Sequence, residues 1–235
     1  YIDLEERILK ILKTQKGDFA IAFKNLSDGK TILINENEEF HAASTMKTPV
    51  MIEAFKKNHE GIISLDDSIE IKNEFKSIVD GSLFKLSSFD DSDKKTYEKI
   101  GSYLSLRELI YDMITISSNL ATNLVIDYIG HEDINKTMRD LGAKNINVLR
   151  GVEDIKAFNE GLSNTTTALD LLKIYDNLAL GKVINISLSE EMVDILKKQK
   201  YDDIIPKYLP KSIEVAHKDG WINGARHDSG IVFLD

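Results

Sequence analysis

Residues that favour strands lie near the two ends of this chain, and almost everything between them reads as helix. After a first amphipathic stretch at residues 4–14, with Leu4, Ile8, Ile11 and Leu12 on one face, the β-rich runs Phe19–Phe23 and Thr31–Ile34 flank the turn Ser27-Asp28-Gly29-Lys30. The text from Ser44 onward is helical, with Pro49 early enough to be tolerated. Residues 105–128 read as two helices broken at Ser117-Ser118-Asn119, and residues 165–180 as a helix started by a threonine cap. Residues 189–199 give another helix. IEVAHKDG and GIVFLD then read as strands, turning at Trp221-Ile222-Asn223-Gly224. A sheet assembled from both ends of the chain around a helical insertion makes the expected class α+β. We find no repeat, low-complexity tract or linker.

Composition narrows the function. The formal net charge of −9 at pH 7 disfavours nucleic acid as a partner. The absence of cysteine removes disulfides, thiolate nucleophiles and cysteine-based zinc sites. No apolar run approaches the roughly 20 residues of a membrane helix. The start at Tyr1 reads as a processed or trimmed product, with any targeting segment outside this sequence. His41, His131, His217 and His227 are scattered without metal-ligand spacing, so no metal is expected. Asp90, Asp91 and Asp93 lack the glycine and distal glutamate of a calcium loop and read as a solvated turn. Phe75, Phe84 and Phe89 read as core anchors, with Tyr97 or Tyr103 bordering a cleft.

Three short elements can carry chemistry. Ser44 and Lys47 stand one helical turn apart, so an amine could take the proton of the hydroxyl if burial or a second cation lowers its pKa. A capping serine followed by lysine is also a common helix start. Ser117 and Asn119 could face one cavity if the backbone between the helices is not helical, or could form an ordinary turn. In His217-Lys218-Asp219-Gly220, Lys218 could supply the second cation and Gly220 a close approach to the strand, or the segment could be an exposed strand end. Taken together and in this order, Ser-x-x-Lys, Ser-x-Asn and Lys-x-Gly form the set found in class A β-lactamases and penicillin-binding proteins.

On these residues the chain resembles class A β-lactamases, and within that superfamily the β-lactamase-like, penicillin-binding-protein-like serine hydrolases. The resemblance extends through FHAASTMKTPVMIEAF, FKSIVDGS with FDDSD, SLRELIYDMITISSNLATNLVIDYIG, RGVEDIKAFNEGLSNTTTALDLL and VAHKDGWINGARHDSGIV. It implies an antiparallel sheet flanked by helices plus an all-helical lobe. The whole of 1–235 would be one catalytic domain, with an α/β lobe from about 1–48 and 182–235 and a helical lobe from about 49–181. It implies acylation of Ser44, Lys47 as base or relay, Ser117 as proton shuttle to the leaving nitrogen, and Asn119 on the substrate amide. Lys218 and Arg226 would attract the substrate carboxylate, and the N–H groups of Ser44 and Trp221, after Gly220, would form the oxyanion hole. No cofactor is implied. The expected activity is β-lactam ring hydrolysis by an extracytoplasmic monomer. The alternatives are a D-alanyl-D-alanine carboxypeptidase and a non-catalytic penicillin-binding or sensor domain.

The chain also departs from the family pattern. The deacylating glutamate falls to Glu153 or Glu160, but counting from Arg150, Thr165 and Asn159 places it near Val152, Gly151 and Ile155, so the loop has a different length. Asn164 stands where an aspartate usually pairs with Arg150. Ser118 replaces an aspartate. Asp219 replaces a hydroxyl residue and would repel a substrate carboxylate by about 4 kcal/mol at about 4 Å and an effective dielectric near 20. The family's last strand and C-terminal helix are expected beyond Asp235.

Overall fold

The computed structural model describes residues 2–234. Helix α1 (Ile2–Leu12) leads into a hairpin of β1 (Ile21–Lys24) and β2 (Thr31–Ile34). Strand β3 (Phe40–His41) passes through a single 3-10 turn, Ala43–Met46, into α2 (Lys47–His59). Then follow β4 (Ser68–Glu70), β5 (Phe75–Lys76), β6 (Leu83–Phe84), α3 (Lys94–Tyr97), β7 (Tyr103–Ser105), α4 (Leu106–Thr115), α5 (Asn119–Ile129) and α6 (Glu132–Asp140). The last part holds α7 (Ile155–Asn159), β8 (Thr165–Thr166), α8 (Ala168–Ala179), α9 (Ile186–Leu196), β9 (Val215–Ile222) and β10 (Ala225–Val232). The class is α+β, as the sequence predicts. No described helix is long and apolar enough to cross a membrane.

Helix α2 is the centre of the helical part. Its residues from Lys47 to Phe55 are all buried, and α4, α5, α6 and α9 pack around it. Pro49 sits in its first turn, where no helical hydrogen bond is lost. Ser105 and Glu108 form a reciprocal capping box that starts α4, and Thr167 caps α8 through Asp170 N–H. These local signals fix where the helices begin, and therefore where the breaks between them fall.

The strands differ from expectation in one respect. β1 pairs with β2 and β9 with β10, each antiparallel, but no ladder joins the two hairpins among the described residues. Both hairpins pack against α8, so side-chain packing on that helix, rather than a shared sheet, links the two ends of the chain. β8 pairs antiparallel with β3, Phe40 opposite Thr166 and His41 opposite Thr165. The β9–β10 turn is Asn223-Gly224, where Gly224 takes a left-handed φ of 88°, while Trp221 and Ile222 remain in the strand. Helix α1 has its apolar stripe, but Ile8 and Leu12 are only half-buried and no residue of the helix is fully buried. Phe75 is buried and stacks obliquely on Phe84, whereas Phe89 is 90% exposed and anchors nothing.

Candidate active site

Ser44 occupies the 3-10 turn between β3 and α2. The preceding residue, Ala43, is buried and left-handed at φ 46°, a conformation an alanine holds only where its surroundings impose it. Those surroundings are visible. His41 Nδ1 accepts the Ala43 N–H at 3.0 Å, the Ala42 N–H donates to Asn164 O at 2.8 Å, and Thr45 Oγ1 donates to Ala42 O at 2.6 Å. The β9 backbone at Gly220 presses in from the other side. A Cβ there would stand 3.0 Å from Ser44 N and 3.2 Å from Ala43 Cβ, which is why the position holds glycine.

Lys47, the first residue of α2, is fully buried. Its ammonium donates to Ser117 O at 2.8 Å, Ser117 Oγ at 3.2 Å and Asn119 Oδ1 at 2.9 Å. Burial holds its pKa well below the usual lysine range and the positive charge of Lys218 adds to this, against the opposing pull of Asp91, Asp219 and Glu153. The amine therefore has the environment a proton acceptor for Ser44 requires.

The predicted break between α4 and α5 is present and turns Ser117 and Asn119 toward Lys47. Ser117 is left-handed at φ 57°, and Ser118 is buried and caps α5 by accepting the Ala121 N–H. What fixes the break is a residue the sequence reading misassigned. Asp91 and Asp93, expected in a solvated turn, are 4% and 2% exposed; only Asp90 faces solvent. The Asp91 carboxylate accepts the N–H groups of Asn119 and Leu120 at 3.0 and 2.9 Å, the Tyr97 hydroxyl at 3.1 Å and the Asp93 N–H at 3.0 Å. It thus neutralises the N-terminus of α5. Asp91→Ala leaves these donors without an acceptor. We expect it to cost roughly 3 kcal/mol of stability, measured by calorimetry; an unchanged Tm would show that the loop is held by something else.

Glu153 is brought to the same point. Its Oε1 accepts from Asn119 Nδ2 at 2.9 Å and its Oε2 from Ser87 N–H at 3.2 Å. One amide, that of Asn119, therefore holds the Lys47 ammonium with its oxygen and the Glu153 carboxylate with its nitrogen. Burial raises the Glu153 pKa, aided by the charges of Asp91 and Asp90 and opposed by the two hydrogen bonds. Glu160 is exposed beyond α7 and takes no part.

Glu153 itself is left-handed at φ 63°. Its neighbours are clamped: Val152 N–H donates to Asn123 Oδ1 at 2.6 Å and Asn123 Nδ2 donates to Val152 O at 3.0 Å, while Asp154 accepts from Ser77 Oγ and Ile78 N–H. Sequence reasoning missed Asn123, though it lies four residues after Asn119 and hence on the same face of α5. Asn164 closes the neck of the loop through the backbone, accepting from Leu149 and Arg150 N–H and donating to Arg150 O. The Arg150 side chain turns instead to the carbonyls of Leu162 and Gly151.

On β9, Lys218 is fully buried and its ammonium donates to Asp219 Oδ1 at 2.7 Å and Asp219 O at 2.9 Å. Burial lowers its pKa, and Asp219 and Asp228 counter this. Trp221 follows Gly220 with its side chain exposed. Arg226, opposite Trp221 in the ladder, faces Asp203 at 3.6 Å and is exposed, so it is not gathered with Lys218 as expected. The structure thus brings together Ser44, Lys47, Ser117, Asn119, Glu153, Lys218, Asp219 and Gly220, and leaves Arg226 aside. Among the described residues no acidic or histidine cluster could hold a metal ion.

With this geometry in hand, comparison with known proteins is decisive about kinship. The model of the family described as "Beta-lactamase enzyme family" matches residues 3–235. The chain belongs to the beta-lactamase enzyme family. Among curated members it is 24% identical over 220 residues to beta-lactamase Toho-1 of Escherichia coli, covering 92% of this chain and 71% of that one. It is 25% identical over 221 residues to a beta-lactamase of Bacillus licheniformis, covering 92% and 66%. A solved structure of PBP-A shares 26% identity, covers 99% of this chain and 82% of that one, and superposes with a TM-score of 0.81. A beta-lactamase from Chitinophaga pinensis, 23% identical with coverage of 99% and 86%, superposes at 0.84 and shows the same fold. The β-lactamase/transpeptidase-like fold expected from the sequence is therefore the observed one.

Proposed function

We propose that this member of the beta-lactamase family is a serine hydrolase that forms an acyl-enzyme at Ser44 and opens β-lactam rings, with Glu153 activating the water that clears the adduct. The observation that carries this reading is the Asn119 amide, which ties the Lys47 ammonium to the Glu153 carboxylate. Support also comes from a leucine-to-glutamate mutant of PBP-A, which was solved as an acyl-enzyme complex with penicillin G. That mutant is 25% identical to this chain, covers 99% of it and 83% of its own length, and superposes with a TM-score of 0.82.

In the proposed sequence the Ser44 hydroxyl gives its proton to the neutral amine of Lys47 as the oxygen attacks the ring carbonyl. The developing oxyanion lies against the Ser44 N–H and the β9 backbone after Gly220. The C–N bond breaks as Ser117 Oγ delivers its proton to the ring nitrogen and takes one in turn from the Lys47 ammonium, which returns Lys47 to the neutral amine. Glu153 then takes a proton from water as the water oxygen adds to the ester carbonyl; when that adduct collapses, Ser44 Oγ leaves and takes up the same proton, restoring the Glu153 carboxylate. A second reading, a binding domain that is acylated without being cleared, is favoured by one observation: the carboxylate of Asp219 on Lys218.

The test is steady-state hydrolysis of a chromogenic β-lactam across pH. Glu153 works only when ionised, and its pKa is raised, so turnover limited by deacylation is expected to fall as pH drops through a value above that of an unperturbed glutamate. A stoichiometric burst without turnover at any pH contradicts hydrolysis and supports the binding reading.

A further inference from the structure

We infer that the site selects acyl donors carrying no carboxylate beside the reacting amide, and that Asp219 sets this selectivity; the inference rests on the acyl-enzyme reading above. Two lysine amines stand at the site, and both are already committed. Lys47 Nζ is bonded to Ser117 O, Ser117 Oγ and Asn119 Oδ1. Lys218 donates to the side chain and the carbonyl of Asp219. Within this pair the ammonium side chain is 0% exposed and the carboxylate 24%. What a molecule lying along this part of β9 meets is therefore the carboxylate.

The position matters because Gly220, the next residue, is the one packed against the Ser44 backbone. A group bound one residue along from the nucleophile lies beside Asp219. The charges that act on Lys47 are the cation Lys218 and the anions Asp91, Asp219 and Glu153, and of these Lys218 is itself buried under its bonds to Asp219. An ionised carboxylate accepts hydrogen bonds and donates none. The chemistry it recognises is a neutral amide N–H or an ammonium. The substrate class is an activated amide with such a donor in place of an acid.

The test compares benzylpenicillin with its primary carboxamide, which differ in this one group. Acylation rates of Ser44 are read by intact mass and each is corrected for the compound's own alkaline hydrolysis. The carboxamide is expected to react at least tenfold faster with the native protein. Asp219→Ser is expected to reduce that preference at least tenfold by accelerating benzylpenicillin. Asp219→Asn, which keeps the shape without the charge, is expected to shift it in the same direction, with thermal unfolding reporting that both variants fold. Equal or faster reaction of benzylpenicillin with the native protein, or a preference unmoved in the folded variants, overturns the selectivity while leaving the acyl-enzyme standing. No adduct from either compound on the native protein or either variant overturns the acyl-enzyme reading and the selectivity with it.

Discussion

Glu153→Gln is expected to leave acylation of Ser44 within about tenfold of native and to slow release of the acyl group by roughly 10²–10⁴-fold, the usual range for removal of a general base. The asymmetry follows from the site. Lys47 keeps its bonds to Ser117 and to Asn119 Oδ1 in this variant, so the groups assigned to acylation are untouched. The lost group is the carboxylate on the other side of the Asn119 amide, which burial has placed at a raised pKa and so made a stronger proton acceptor than an ordinary glutamate. Rapid-mixing kinetics with mass detection separate the two steps: adduct forms at near-native rate and then persists. Adduct that still clears at the native rate would show that Glu153 is a bystander and that another base serves the water. The acid limb of deacylation should vanish in the same variant, since the group whose titration causes it is gone.

Lys47→Met is expected to reduce acylation by roughly 10²–10⁴-fold with the fold retained. Methionine matches the length of the lysine stem and needs no solvation, and the burial that already disfavours the charged amine offsets part of the loss of its hydrogen bonds to Ser117 and Asn119. Lys47 is fully buried among α2, α4 and α5, and burial is the first cause of its lowered pKa. Stopped-flow acylation together with thermal unfolding checks both halves. Near-native acylation by a folded variant would transfer the role of proton acceptor to another group, with Glu153 the first to examine.

The elements legible in the sequence are those written in local spacing. Ser44 and Lys47 are a turn apart, and Ser117-Ser118-Asn119 interrupts a helical pattern. Thr167 caps α8 where the threonine run predicts it. Asn223-Gly224 turns the last hairpin. What was not legible depends on long-range partners. Counting along the loop could not choose a position for Glu153, because its place is set by its left-handed backbone and by the clamps of Asn123, Ser77 and Ile78 on its neighbours. Asp91 looked like part of a solvated acidic turn because its partners, the first N–H groups of α5, lie 28 and 29 residues away. Phe89 was assigned to the core by residue type alone, but its backbone lies in the exposed turn leading to Asp91. Two strand pairs from opposite ends of the chain are expected in one sheet because the strand-favouring runs lie at both ends around a helical block; their common partner is α8.

The measurement that tests the serine acyl-enzyme most directly is intact mass of the native protein and of Ser44→Ala, followed in time after mixing with benzylpenicillin or its carboxamide. The expected result is a single covalent adduct on the native protein, mapped by peptide analysis to Ser44, that forms and clears, with none on Ser44→Ala. An adduct on Ser44→Ala, or none on the folded native protein with either compound, would contradict it.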